Sequence, residues 1–145
     1  MPMSGTGAER YQDLWDRMAG SPFHTWAGMR LDRVDKGEVD VSLDAQDHHL
    51  NLAGVIHGGM IATLADTAMG LAYRTVLRAG ASHLTSQLSV TFLAPGRPGT
   101  VTARATVVKT GGRVGYAEAD VVDADGALLA RATALFAVTP QRPAQ

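Results

Sequence analysis

Cysteine is absent from the 145 residues. That removes disulfide frameworks, thiolate zinc sites and cysteine nucleophiles, and it fits a reducing cytoplasm, the expected location. An excess of charge is missing as well: Lys+Arg 13 against Asp+Glu 14 leaves a formal net charge of −1. Such a balance gives no overall attraction to nucleic acid or to an anionic membrane, so neither is expected as a partner. Long unbroken apolar runs are missing too, because Asp66 and Arg74 interrupt one and Arg131 another. No transmembrane helix is predicted. The opening MPMSGTGAERYQDLW lacks a basic stretch followed by an apolar one, so no signal peptide is expected.

Several catalytic signatures are also lacking. No G-x-S-x-G elbow occurs, which excludes a serine-type α/β-hydrolase, and there is no P-loop and no H-E-x-x-H. Gly5-Thr6-Gly7 has neither the preceding strand nor the third glycine of a dinucleotide loop. His48-His49 with His57 fits no common zinc spacing, so the pair is read as a surface loop and no metal is expected. His24 and His83 stand alone and are read as ordinary residues.

What is present suits one packed domain: 46% hydrophobic and 19% charged residues. Tyr11, Leu14, Trp15 and Met18 recur at helical spacing and predict an amphipathic helix from about Glu9 to Met18, with Asp13 and Arg17 paired on its wet side and Gly20-Ser21-Pro22 as its stop. The period then becomes two. Met29 and Leu31, then Val39, Val41 and Leu43, predict strands joined by an Asp35-Lys36-Gly37-Glu38 turn. Residues 44–56 read as an irregular loop.

From Gly58 or Gly59 to a point before Gly80, Ile61, Leu64, Ala65, Ala68, Leu71, Ala72 and Val76 share one helical face. Alternating runs follow around Leu88–Phe92, Val101–Val107, Val114–Val122 and Leu128–Val138. A helix of about 20 residues is roughly 30 Å long and a ten-residue strand roughly 33 Å. One long, small-residue helix can therefore lie along an antiparallel sheet that wraps it. The fold class is α+β.

Asp66 falls off the core face of that helix, among Ala62, Met69, Gly70 and Tyr73. It is either an exposed helix carboxylate or a base or nucleophile in a cleft or interface. Ahead of it, His57-Gly58-Gly59 puts free N–H donors and the positive end of the helix dipole where an anion or a developing oxyanion could sit; the plainer reading is a glycine turn with His57 near the cap.

The run Asn51-Leu-Ala-Gly54-Val-Ile-His57-Gly58-Gly59, then Leu64-Ala-Asp66, then Phe92-Leu-Ala-Pro95-Gly96, resembles the hotdog-fold acyl-CoA thioesterases of the phenylacetate-pathway (PaaI-like) type over about residues 22–139. The resemblance implies a hotdog domain at 22–139, an N-terminal helical extension at 1–21 and a tail at 140–145. It implies hydrolysis of acyl-CoA to free acid and coenzyme A, with coenzyme A belonging to the substrate and no separate cofactor. Asp66 becomes the base or nucleophile, and the Gly58 N–H the group that polarises the carbonyl. Asn51 and His57 hold the loop and the leaving sulfur, and Thr85 positions water, with Ser86 the alternative if the strand register slips. Gly59, Met69 and Tyr73 would line the acyl site; Met69 and Tyr73 could equally be interface packing. Arg97, Lys109 and Arg113, at glycine-rich turns, would meet coenzyme A phosphates or else be solvated hairpin tips.

Gly58 and Asp66 are eight residues apart, roughly 12 Å along one helix axis. Both must lie about 3 Å from one reacting carbon, so the site is expected to be shared across a homodimer, with dimers pairing into tetramers as in relatives. A non-catalytic acyl-CoA-binding protein on the same fold is the alternative. A hydratase would pair the Asp with a His five residues on, where this chain has Leu71. The acyl group, aryl or aliphatic, and the thiol, coenzyme A or an acyl carrier protein, stay open.

Overall fold

The alternating stretches become strands and the helical stripes become helices. The computed structural model describes residues 11–140. Helices α1 (Gln12–Ala19) and α2 (Pro22–Ala27) precede a hairpin of β1 (Met29–Asp35) and β2 (Glu38–Ala45). A 3-10 turn at Asp47–His49 leads to α3 (Gly58–Arg74). Then come β3 (Ser82–Phe92), β4 (Gly99–Lys109), β5 (Val114–Asp123) and β6 (Leu128–Thr139). The six strands form one antiparallel sheet in the order β1-β2-β4-β5-β6-β3, which leaves β1 and β3 as its edges. This is the expected α+β hotdog arrangement, a sheet wrapped around one long helix.

Close wrapping requires small side chains on both surfaces. Ala65, Ala68 and Ala72 of α3 face Ala103, Ala105, Ala117, Ala119, Ala132 and Ala134 of the sheet, all buried. Larger residues fill the flanks, among them Leu64, Leu43, Val121 and Phe136. Gly115 is where the approach is closest: a methyl group there would overlap the Tyr73 ring. No helix among the described residues is long and apolar enough to cross a membrane.

In the N-terminal segment one expected pair is absent and a second, unexpected helix appears. Glu9, where the first helix was expected to begin, lies outside the described residues, and α1 spans Gln12–Ala19 with Leu14 and Met18 buried. The expected Asp13–Arg17 pair does not form; Gln12 Nε2 instead donates to Asp16 Oδ1 at 3.0 Å, on the same exposed side. Gly20-Ser21-Pro22 does end α1, but it also starts α2. The Ser21 hydroxyl caps the His24 N–H, Pro22 takes the first turn, and Gly28 at φ +80° ends the helix. Six residues are too few to show a period, so only the Ser-Pro start and glycine stop could have revealed it. Leu14, Met18 and Ala27 join the same buried cluster as α3 and the sheet.

Candidate active site

The loop before α3 is folded around Asn51. Its Oδ1 accepts from the Ala53 N–H at 2.9 Å and the Val55 N–H at 3.2 Å, while its own N–H donates to the Val55 carbonyl. Gly54, at φ +78°, supplies the left-handed step that closes this turn. His57 then caps the helix, its Nδ1 accepting from the Gly59 N–H at 2.8 Å. That bond fixes Nδ1 as an acceptor, so the proton of the neutral ring sits on Nε2. A Cβ on Gly59 would stand 3.0 Å from His57 Nδ1, which is why the capping geometry needs glycine.

Gly58 is the first residue of α3. Its N–H makes no hydrogen bond among the described residues, as the geometry of a helix start dictates. A Cβ there would lie 3.2 Å from the Phe92 ring, so the end of β3 packs directly on the start of the helix. Gly58 and Asn51 open on a depression that Phe92 and Pro95 also line.

Asp66 lies two turns further along, half-buried. Thr85 Oγ1 of β3 donates to Asp66 Oδ1 at 2.8 Å. The pairing of β3 with β6 shifts register between Thr85 and Gln87, so Ser86 is an extra, bulged residue. A bulge re-aims the side chains beside it. Here it turns Thr85 toward Asp66 and leaves the Ser86 hydroxyl to bond the Leu135 carbonyl at 3.2 Å. Of the two hydroxyls expected near the carboxylate, Thr85 is the one that reaches it.

Asp66 and Thr85 open on a groove of about 430 Å³. Two histidines read from the sequence as ordinary line it as well, and they are the residues that sequence reasoning missed. His24 Nδ1 lies 2.7 Å from Ser21 Oγ, and burial lowers the pKa of its ring. His83 Nε2 donates to the Gly70 carbonyl at 2.9 Å, while its buried Nδ1 has no partner among the described residues. Burial lowers the pKa of His83 and nearby Arg74 adds to this; the Gly70 carbonyl and Asp66 act in the opposite sense. Their sequence positions carried no signal because the groove forms only when α2 and β3 flank α3.

Other expectations are corrected. Met69 is fully buried in the core, and so in effect is Tyr73, whose ring stacks on Phe136 at 5.0 Å; both pack the protein interior rather than line a groove at Asp66. His49 does not sit on a surface loop. It is buried, with Nδ1 accepting from the Gln46 N–H at 3.0 Å and Nε2 donating to the Ala27 carbonyl at 2.7 Å. Arg97, Lys109 and Arg113 are all exposed. Arg97 precedes the first residue of β4 whereas Lys109 is its last, so roughly 33 Å of strand separates them and one chain cannot gather all three around one opening.

Gly58 lies on the helical path, so the separation of roughly 12 Å from Asp66 stands, and within one chain the two open on different depressions.

A family model described as "Thioesterase superfamily" matches residues 53–130. The medium/long-chain acyl-CoA thioesterase YigI of Salmonella typhimurium is 29% identical over 132 residues, covering 81% of this chain and 85% of that protein. A thioesterase family protein from Silicibacter pomeroyi superposes with a TM-score of 0.81 at 27% identity, covering 92% of this chain and 98% of the other. The PaaI protein of the Escherichia coli phenylacetic acid degradation operon superposes with a TM-score of 0.85 at 23% identity, over 94% and 98% of the two chains, a likeness of fold.

Proposed function

The chain belongs to the thioesterase superfamily, and from that premise we propose that it is a thioester hydrolase converting acyl-CoA and water to a carboxylic acid and free coenzyme A. The observation that carries this reading is the Thr85–Asp66 hydrogen bond inside an open groove. It presents an oriented carboxylate beside space for an acyl group and a water.

Two routes use that carboxylate. As a base, Asp66 takes a proton from water while the water oxygen bonds to the thioester carbon; the C–S bond then breaks and the sulfur takes the proton. As a nucleophile, Asp66 bonds to that carbon and expels the thiolate, and water then cleaves the anhydride. Either way negative charge develops on the carbonyl oxygen and needs a donor. The Gly58 N–H, without a partner among the described residues and at the positive end of α3, suits that role, and Nε2–H of His57 suits the leaving sulfur.

Because one chain holds Gly58 too far from Asp66, the donor in this mechanism comes from a second copy. The two edges of the sheet differ in a way that supports such a dimer. β1 carries Arg30, Asp32 and Arg33, charges that protect an edge, whereas β3 (SHLTSQLSVTF) has no Asp, Glu, Lys or Arg and exposes Leu84, Leu88 and Phe92. Thr85 touches Asp66 near one end of β3, and Phe92 touches Gly58 at the other. Pairing β3 antiparallel with its symmetry copy, Thr85 opposite Phe92, brings each Asp66 groove beside the other chain's Gly58. Nothing in this arrangement requires a second dimer.

The test is thiol release from a panel of acyl-CoA thioesters by wild type and Asp66→Asn. Loss of roughly 10²- to 10⁴-fold in turnover, with fold and dimer retained, is expected. Undiminished turnover in the variant would remove Asp66 from the mechanism. Ligand-induced thermal stabilisation of the wild type without thiol release would favour a binding protein.

A further inference from the structure

We propose that the groove beside Asp66 receives the acyl group, and that Arg17 and Arg74 make it selective for acyl groups ending in a carboxylate. The inference rests on the hydrolase reading above and adds a substrate class to it.

The groove is lined by both apolar and polar side chains. Along α3 the lining runs from Asp66 through Leu71 to Arg74, and Leu14, Arg17 and Met18 of α1 line it as well. Asp66 and Arg74 are eight residues apart on α3, about 12 Å along the axis, enough for a medium-length acyl chain. The volume of about 430 Å³ is that of a small-molecule site.

Neither arginine makes an ion pair among the described residues. Arg74 lies in the last turn of α3 and Arg17 in the last turn of α1, where each helix dipole favours a cation, but the dipoles do not explain why two separate helices bring these cations to one groove. Arg17 had an acidic candidate partner one turn back, Asp13, and does not pair with it. Asp66, the one carboxylate lining the groove among the described residues, accepts from Thr85. Burial lowers the pKa of His24 and of His83, which disfavours their charged forms, so among the described residues the two guanidinium groups are the groove's permanent cations. Guanidinium binds carboxylate through paired N–H donors, which suits a carboxylate at the far end of the acyl group. Coenzyme A also carries anions, but an extended pantetheine arm is longer than the stretch from Asp66 to Arg74.

The test compares kcat/KM for octanoyl-CoA and octanedioyl-CoA, and for the same acyl groups on pantetheine, in wild type, Arg17→Met, Arg74→Met and Arg74→Lys. Wild type is expected to favour the octanedioyl ester by about tenfold or more on both thiols. Each Met variant should bring that ratio toward one, and Arg74→Lys should keep part of it. A wild-type ratio of one or less, or a ratio unchanged in both Met variants, overturns the proposal. So does an effect of Arg74→Met that is equal for both acyl groups on coenzyme A and absent on pantetheine, since the arginine would then serve the phosphates. Turnover without acyl preference defeats this inference alone. If no thioester releases thiol, the hydrolase reading fails, and thermal shift with free octanedioate decides the groove: Arg74-dependent stabilisation upholds it as a carboxylate site, and none overturns it.

Discussion

Thr85 Oγ1 on strand β3 donates to Asp66 Oδ1 on helix α3 at 2.8 Å, joining residues 19 positions apart in the chain. The bond depends on the bulge at Ser86, because without the extra residue Thr85 would be directed elsewhere. Thr85→Val keeps the side-chain shape and removes the donor. Turnover should fall by about tenfold or more, as expected for a hydrogen bond to a charged group, and Thr85→Ser should recover most of it. Ser86→Ala should stay near wild type. Steady-state thiol release on the three variants checks this, and equal losses for Thr85→Val and Ser86→Ala would contradict it.

Gly58 allows its backbone donor to be removed by itself. Proline is tolerated at the first position of a helix and lacks only the N–H, and His57 at ψ 133° has the extended backbone that a following proline prefers. Gly58→Pro should lower kcat by about 10²- to 10³-fold, the usual cost of one oxyanion donor. Gly58→Ala is the control, since it adds the same Cβ 3.2 Å from Phe92 but keeps the N–H. Similar kcat values for the two variants would show that crowding, not the donor, matters.

A shared site predicts complementation. When Asp66→Asn and Gly58→Pro chains are unfolded together and refolded, half of the dimers are mixed and one of two sites in each is intact. Activity should return to about a quarter of wild type. Mixtures no more active than either parent would mean that each chain works alone.

His49 holds the chain together rather than acting on substrate. Its ring connects the Gln46 N–H to the Ala27 carbonyl inside the core. His49→Leu orphans both groups, which should destabilise the protein by about 2–4 kcal/mol. Urea denaturation measures this directly, and a midpoint near that of wild type would show the two backbone groups to be dispensable.

His24 and His83 set a pH dependence with a definite sign. Both have folded-state pKa values below the ordinary 6.5, chiefly from burial, so the unfolded chain binds more protons between the folded and unfolded values. Their contribution to stability is complete above about pH 6.5 and is lost as the pH falls through their folded values. Thermal midpoints recorded downward from neutral pH should decline, and less steeply in His83→Gln. An identical slope in that variant would remove His83 as a cause.

The sequence by itself determined the elements and one local motif. The two-residue alternation of Val39, Val41 and Leu43, the helical stripe from Ile61 to Ala72, and the glycine-rich start of α3 are properties of neighbouring residues, and N-x5-HGG-x6-D has its meaning within sixteen consecutive positions. Only the tertiary structure decided which distant groups meet. It chose Thr85 over Ser86, brought His24, His83, Arg17 and Arg74 to the groove of Asp66, buried His49, Met69 and Tyr73, and set Arg97 a strand's length from Lys109. Periodicity reports the face on which a side chain lies within its own element. Which face of another element stands opposite depends on register and packing, where one added residue reverses the direction of a side chain.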